Sequence, residues 1–139
     1  MMPQVSYYVR FFAESPITLK ALSTGIKSIN PQYKIDGGDL MVGTDVIAEI
    51  GVDSAGSDLF AEELNARLGP VMQLGGEAAQ WVGARLRGAQ SIVSIRIDPN
   101  VSWDLLGPLW TTLAGLATGL TQVDGDGFYD GGNLIVSMQ

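Results

Sequence analysis

The stretch YKIDGGDLMVGTDVIAEI, residues 33–50, recurs without a gap 88 residues later as TQVDGDGFYDGGNLIVSM, residues 121–138. The Asp-Gly pair at 36–37 aligns with the pair at 124–125, while Gly43 and Ile47 align with Gly131 and Ile135. The glycines fall where tight hairpins accept a positive φ, and the apolar matches fall at strand positions. Each stretch is therefore predicted to form a meander of two or three short antiparallel strands.

A strand and a helix are predicted before each meander. In the first unit, alternating aromatic and β-branched residues predict a strand over residues 5–12, followed by a helix with Ser15 as N-cap and Pro16 at its first position. In the second unit, a strand over 92–97 precedes a helix from Trp103 to about Leu120, with Ser102 as the candidate cap. The order strand, helix, hairpins thus occurs twice.

Residues 53–89, between the units, predict two further helices, one over 57–68 ended by Gly69-Pro70 and one over about 76–86. No long polar linker interrupts the chain, so residues 1–139 are predicted to be a single domain. Within it, residues 5–52 form the first βαββ unit, 53–89 a helical connector and 90–139 the second βαββ unit. The predicted fold class is α+β: the tandem units share one mostly antiparallel sheet, with the two long helices packed on one face.

Composition excludes several classes of function. The chain is 46% hydrophobic and 17% charged, which is typical of a globular protein, and it has neither cysteine nor histidine. Disulfides, thiolate or histidine metal sites and histidine-dependent triads are therefore excluded, and we predict no catalytic residue, cofactor or metal. A net charge of −7 disfavours nucleic acid as a partner.

No signal peptide or membrane span is predicted, so we expect a cytoplasmic location and no membrane partner. Residues 105–123 lack charge over about the length of a span, but they include several threonines and glycines and a proline. We interpret them as a buried helix followed by a strand.

The segment 124–130, DGDGFYD, superficially resembles a calcium-binding loop. Its later ligand positions hold Phe128, Tyr129 and Ile135, which supply neither the required glycine nor a bidentate glutamate. We therefore interpret Asp124 and its glycine as turn residues, and Asp126 and Asp130 as what the second meander adds to the first.

Two arginines occupy comparable places in the opening strands. Arg10 and Arg96 are expected to share a sheet face with Tyr8, which would form a possible ligand face for an anion or a peptide. The alternative is that each arginine pairs with a carboxylate such as Glu49 or Asp98 on a solvated surface.

The helix from Trp103 has a back face of small, uncharged residues: Gly107, Thr111, Gly115 and Thr118. Such a face suits close contact with another helix, either of the same chain or of a second subunit, so a homodimer is a possible assembly.

The motif of residues 123–130 followed by Leu-Ile-Val at 134–136, together with a Trp-containing helix and an aromatic first strand, resembles small, acidic, uncharacterised bacterial proteins of α+β type. The chain is also similar in size, charge and organisation to immunity proteins of bacterial toxin systems. The resemblance implies no activity, cofactor or catalytic residue.

Our leading hypothesis is a non-enzymatic cytoplasmic interaction module that binds a basic protein partner, in an immunity-like role, through an acidic surface. Its predicted partner-binding residues are Asp124, Asp126, Asp130, Asp58, Glu62 and Glu63. The alternative is a small-ligand-binding or carboxylate-based enzymatic domain, with its site at the arginine face or at the carboxylates of the second meander. A homodimeric structural protein is a further alternative.

Overall fold

The protein folds around one eight-stranded antiparallel sheet, in a computed structural model that describes residues 6–138. The strand order is β2-β3-β4-β5-β1-β6-β7-β8. The strands are β1 (Tyr7–Ala13), β2 (Tyr33–Asp36), β3 (Asp39–Val42), β4 (Asp45–Ser54), β5 (Ser91–Ile97), β6 (Gly119–Val123), β7 (Gly127–Asp130) and β8 (Asn133–Ser137). The helices are α1 (Leu19–Ile29), α2 (Asp58–Leu74), α3 (Glu77–Arg87) and α4 (Gly107–Leu116), the last preceded by a 3-10 turn (Trp103–Leu106). The predicted α+β class is confirmed. Val5, the first residue of the predicted opening strand, lies outside the described residues.

Helices cover both faces of the sheet. On one face, α1 and α4 pack together above β1 and β5 and bury Leu22, Ile26 and Leu109. On the other face, α2 and α3 pack together and bury Phe60 and Leu86. The sequence predicted residues 53–89 to be a connector between the units, but their two helices cover the second face. They do so because the central strands are apolar on both sides and require burial on both.

Helix α1 begins later than the sequence predicted. Its N-cap is Thr18, whose side-chain oxygen accepts a hydrogen bond from the backbone N–H of Ala21. The predicted cap, Ser15, lies before the helix in exposed chain. The reason is a tertiary contact: Ile17 is buried, and its N–H donates to Ser91 Oγ at 2.9 Å, which holds the segment before Thr18 against the sheet.

Two other helix ends also differ from the prediction. Helix α2 continues through Gly69-Pro70 to Leu74, and Gly69 makes this possible because it has no Cβ to clash with the following proline ring. Helix α4 ends at Leu116 instead of near Leu120, since Leu120 belongs to β6. Strand β6 approaches β1 so closely that a Cβ on Gly119 would lie 2.4 Å from the carbonyl oxygen of Phe12.

The meanders β2-β3-β4 and β6-β7-β8 have the same local geometry. The glycines at the Asp-Gly turns, Gly37 and Gly125, have φ values of +59° and +76°. The pairs of β3 with β4 and of β7 with β8 follow the same register, with an irregularity at Leu40/Met41 and at Phe128/Tyr129. Their attachment differs: the first meander joins the sheet through β4 and the second through β6. The tandem duplication therefore stays a prediction.

The uncharged segment 105–123 forms the end of the 3-10 turn, α4 and then β6. Within residues 6–138, no helix combines the length and the apolar character that a membrane crossing requires.

Candidate functional site

A cleft of about 850 Å³ opens between α4 and the strands β1, β6 and β7. It exists because α4 ends at Leu116, before it can cover the second meander, whereas α1 packs on the first meander at β2. One face of β6 and β7 is thus left without a helix above it. Most of the cleft lining is apolar or aromatic.

The register of the sheet builds the floor of the cleft. Phe11 of β1 lies opposite Thr121 of β6, and Thr121 lies opposite Tyr129 of β7. Directly paired residues share a face, so these three side chains form one row across three strands. Tyr7 lies four residues before Phe11 on β1, so it shares the same sheet face and extends the aromatic surface. Burial raises the pKa of the Tyr7 phenol.

Two tryptophans form the helical wall. Trp103 and Trp110 stack with ring centroids 5.0 Å apart and planes tilted by 30°, and both line the cleft. Trp103 is 46% exposed, which is a large apolar exposure for such a side chain. The Nε1–H of Trp110 is buried and has no hydrogen-bond partner within residues 6–138. An unpaired buried donor costs about 1–3 kcal/mol, so this N–H is an unfavourable feature of the helical wall.

Two carboxylates lie on the side of the cleft that the second meander forms. Asp126 and Asp130 both line it, and the Tyr129 hydroxyl donates a hydrogen bond to Asp126 Oδ2. This hydrogen bond, together with desolvation and the charge of Asp126, raises the pKa of Tyr129. No lysine or arginine of the described chain lines the cleft. Its electrostatic character is therefore negative.

A separate charged cluster lies on the opposite face of the sheet, beneath α2. The Arg10 guanidinium, in a residue only 7% exposed, pairs with Glu63 and donates to Asp124 Oδ1 at 2.6 Å and to Gln122 Oε1 at 2.9 Å. Arg67 Nε also lies 3.4 Å from the Glu63 carboxylate. We call these five residues the Arg10 cluster. It joins β1, β6, the β6-β7 turn and α2.

Asp124 is ionised in this cluster. Partial burial acts to raise its pKa, but hydrogen bonds from Gln122 and Arg10 and the positive charge of Arg10 outweigh burial, so the pKa is lowered below its ordinary value of 3.8. The Asp-Gly turn residue thus has a structural partner, which the sequence did not indicate.

The possible ligand face predicted for Tyr8, Arg10 and Arg96 is divided by the structure. Strand alternation and the pairing of Tyr8 with Arg96 place all three on one sheet face. Arg10, however, is enclosed in its cluster, with its guanidinium 5.0 Å from the centre of the Tyr8 ring. Arg96 pairs with Glu49 on the surface, where the hydrogen bond and opposite charges lower the pKa of Glu49 and raise that of Arg96. Arg96 therefore makes the surface pairing that the sequence offered as the alternative, whereas Arg10 pairs with other carboxylates in a buried cluster. Ligand binding by this face stays a prediction.

The six predicted partner-binding acids fall into two groups on opposite sides of the sheet. Asp126 and Asp130 lie at the cleft. The other four lie on the α2 side, where Asp124 and Glu63 take part in the Arg10 cluster and Asp58 and Glu62 are exposed on α2. Across the described part of the chain, no three acids converge closely enough to hold a metal ion. Partner binding by these residues stays a prediction.

The small-residue face of α4 is mostly open in this chain. Thr111 and Gly115 are exposed and Gly107 is half-buried, whereas Thr118, also exposed, lies beyond the end of the helix. Helix α4 contacts α1 through a different residue, Thr112, whose Cγ2 would lie 2.7 Å from a Cβ placed on Gly25. The intrachain contact is thus made beside the predicted face, and the homodimer stays a prediction.

Comparison of the chain with protein-family models, with curated proteins and with solved structures finds no match.

The cleft was missed by sequence reasoning, although one signal pointed to it. Trp103 and Trp110 are seven residues apart, about two helical turns, so they fall on one side of the helix that the sequence predicts from Trp103. Only the sheet order shows that this side stands above β6 and β7.

Proposed function

We propose that this protein binds a small, largely apolar ligand in the cleft between α4 and strands β1, β6 and β7. The observation that carries the proposal is the cleft itself, with its volume of about 850 Å³ and its aromatic walls. Ligand pockets are concave, mostly apolar and roughly 300–1,000 Å³ in volume, with a few polar groups that orient the ligand. The sequence offered such a site, at the carboxylates of the second meander, as part of its alternative hypothesis.

The polar groups in the cleft support ligand binding more than they support packing. The hydrogen-bonded pair of Asp126 and Tyr129 lies at the edge of the cleft, where it can orient a ligand and is not needed to fill a core. Exposure of Trp103 is costly unless a ligand covers it, because apolar surface in water is unfavourable by roughly 25 cal/mol per Å². A ligand bound in the cleft would cover this ring.

A fragment screen tests the proposal. We would measure thermal stabilisation by neutral aromatic fragments, since a ligand present at 100 times its Kd stabilises the fold by about 2.7 kcal/mol. In Ala114→Phe the added ring fills the cleft, so stabilisation by every hit should be lost. Ala84→Phe, at an exposed position on α3 across the sheet, is the matched control and should leave binding unchanged. The proposal fails if no fragment stabilises the protein, or if Ala114→Phe leaves the hits unaffected.

Self-association is a second candidate function, and the edge strand β8 favours it. The other edge strand, β2, carries Lys34 and Asp36, charges of the kind that discourage strand pairing between molecules. Strand β8 carries no charged residue and exposes 48% of Leu134. Leu134→Lys should therefore abolish any dimer seen by light scattering. The control is Val46→Lys, equally exposed (49%) but on an interior strand. A concentration-independent wild-type monomer would exclude this candidate.

Binding of a basic protein through acidic residues remains a third proposal. It is best supported by Asp58 and Glu62, which are exposed and outside the Arg10 cluster. Affinity capture with wild-type protein and with the Asp58→Asn/Glu62→Gln variant tests it, because neutralisation should release a partner that charge recruits. Recovery of the same proteins by both would count against it.

We also propose that the two meanders arose by a tandem duplication and that the protein is cytoplasmic. The duplication is supported by the shared register and irregularity of the two meanders. A cytoplasmic location is supported by the sequence alone.

A further inference from the structure

We propose that the ligand of the cleft is an amphiphilic cation, with an apolar body against the aromatic walls and a protonated amine or quaternary ammonium group at Asp126. This inference rests on the proposed ligand-binding function and adds the chemical class of the ligand. It follows from the charges of the cleft, from the contact that holds Asp126 and from the aromatic rings next to it.

The charges of the cleft favour a positively charged ligand. The ionisable side chains that line the cleft are two aspartates and two tyrosines, with no basic residue of the described chain among them. An anionic ligand would enter without a counter-charge and against a net charge of −7. A cation would instead be drawn by both the local and the overall charge.

The Tyr129 hydroxyl determines which carboxylate meets the cation. It donates to Asp126 Oδ2 and so holds that carboxylate beside a ring that lines the cleft. A carboxylate has about four acceptor positions, so Asp126 can still accept from an ammonium group. Asp130 also lines the cleft but has no comparable side-chain hydrogen bond within residues 6–138. Asp126 is therefore assigned as the cation-binding residue and Asp130 as its charge-matched comparison.

The aromatic lining suits the same ligand class. Tyr7, Trp103, Trp110 and Tyr129 present π faces or edges to the cleft, and the faces of tyrosine and tryptophan attract cations. The stacked tryptophans offer a broad surface for the hydrocarbon part. A polar, uncharged metabolite such as a sugar would leave most of this surface uncompensated.

Three probes with one phenylbutyl body separate the charge preference from binding itself: phenylbutylamine, phenylbutanol and phenylbutanoate. Calorimetry should give the amine a Kd at least about tenfold lower than the alcohol, which corresponds to about 1.4 kcal/mol. The carboxylate should bind more weakly than the alcohol, and added salt should reduce the advantage of the amine.

The variants locate the cation. Asp126→Asn should abolish the preference for the amine and leave the affinity for the alcohol within about twofold, because the apolar walls are intact. Asp130→Asn removes the same charge and should keep most of the preference. Equal binding of amine and alcohol would overturn the cation inference and leave the proposed function standing, whereas failure of all three probes would overturn both. Equal effects of the two variants would overturn the assignment to Asp126.

Discussion

Replacement of Arg10 by methionine tests the role of the Arg10 cluster in stability. Methionine retains the apolar stem of the side chain and removes the charge, so Asp124 keeps only Gln122 as a side-chain donor. Loss of one partner of a buried ion pair costs about 3–5 kcal/mol. We expect about 3 kcal/mol, the lower end of that range, because the Glu63 and Asp124 carboxylates are partly exposed to solvent and Arg67 still lies 3.4 Å from Glu63.

Urea unfolding followed by circular dichroism measures this change. With an m-value of about 2 kcal/mol/M, a loss of about 3 kcal/mol lowers the midpoint by about 1.5 M. The control is Arg96→Met on the neighbouring strand, which breaks the exposed pair with Glu49 and should leave the midpoint almost unchanged.

The pH dependence gives an independent measurement. Because Asp124 has a lowered pKa in the folded state, its contribution is complete above its ordinary pKa of 3.8 and is lost as pH falls through the folded-state value. Arg10→Met should reduce this acid-side loss. Equal midpoints for Arg10→Met and Arg96→Met, or an unchanged acid-side slope, would refute the reasoning.

Two other predictions concern helix packing and the cleft edge. Gly25→Ala should destabilise the fold, since its Cβ would meet Thr112 Cγ2 at 2.7 Å, and Thr112→Ser in the same chain should restore part of the loss in thermal unfolding. Gly115→Ala, with nothing within 4 Å, should be neutral or stabilising by up to about 1 kcal/mol, and a loss as large as that of Gly25→Ala would contradict the packing argument. Asp126→Asn should lower the pKa of Tyr129 towards its ordinary value of 10.0, as measured by ultraviolet titration. An unchanged Tyr129 titration would contradict the hydrogen bond on which the cation inference depends.

Features that depend on neighbouring residues were predictable from the sequence. The turns at Asp36-Gly37 and Asp124-Gly125 follow from local backbone geometry, and their glycines adopt positive φ. The cap of α2 at Ser57 was also predictable, because its hydroxyl accepts from the N–H of Phe60 three residues later. The α+β class followed from the same local patterns.

The start of α1 shows where such reasoning stops. Ser15-Pro16 is a sound helix start by local rules, yet the helix begins only after its N-cap, Thr18. The competing contact, from Ile17 N–H to Ser91 Oγ, joins residues 74 positions apart. A local pattern contains no information about such a partner.

The sequence by itself determined the strands and their turns, the presence of helices between them and the acidic charge of the chain. Tertiary structure decided the sheet order, the face that each helix covers, the cleft and the Arg10 cluster. Arg10 and Gln122 bond across a separation of 112 residues, and they do so because β6 pairs directly with β1. Which strands pair depends on the burial of both sheet faces at once, a property of the whole chain that no local segment specifies.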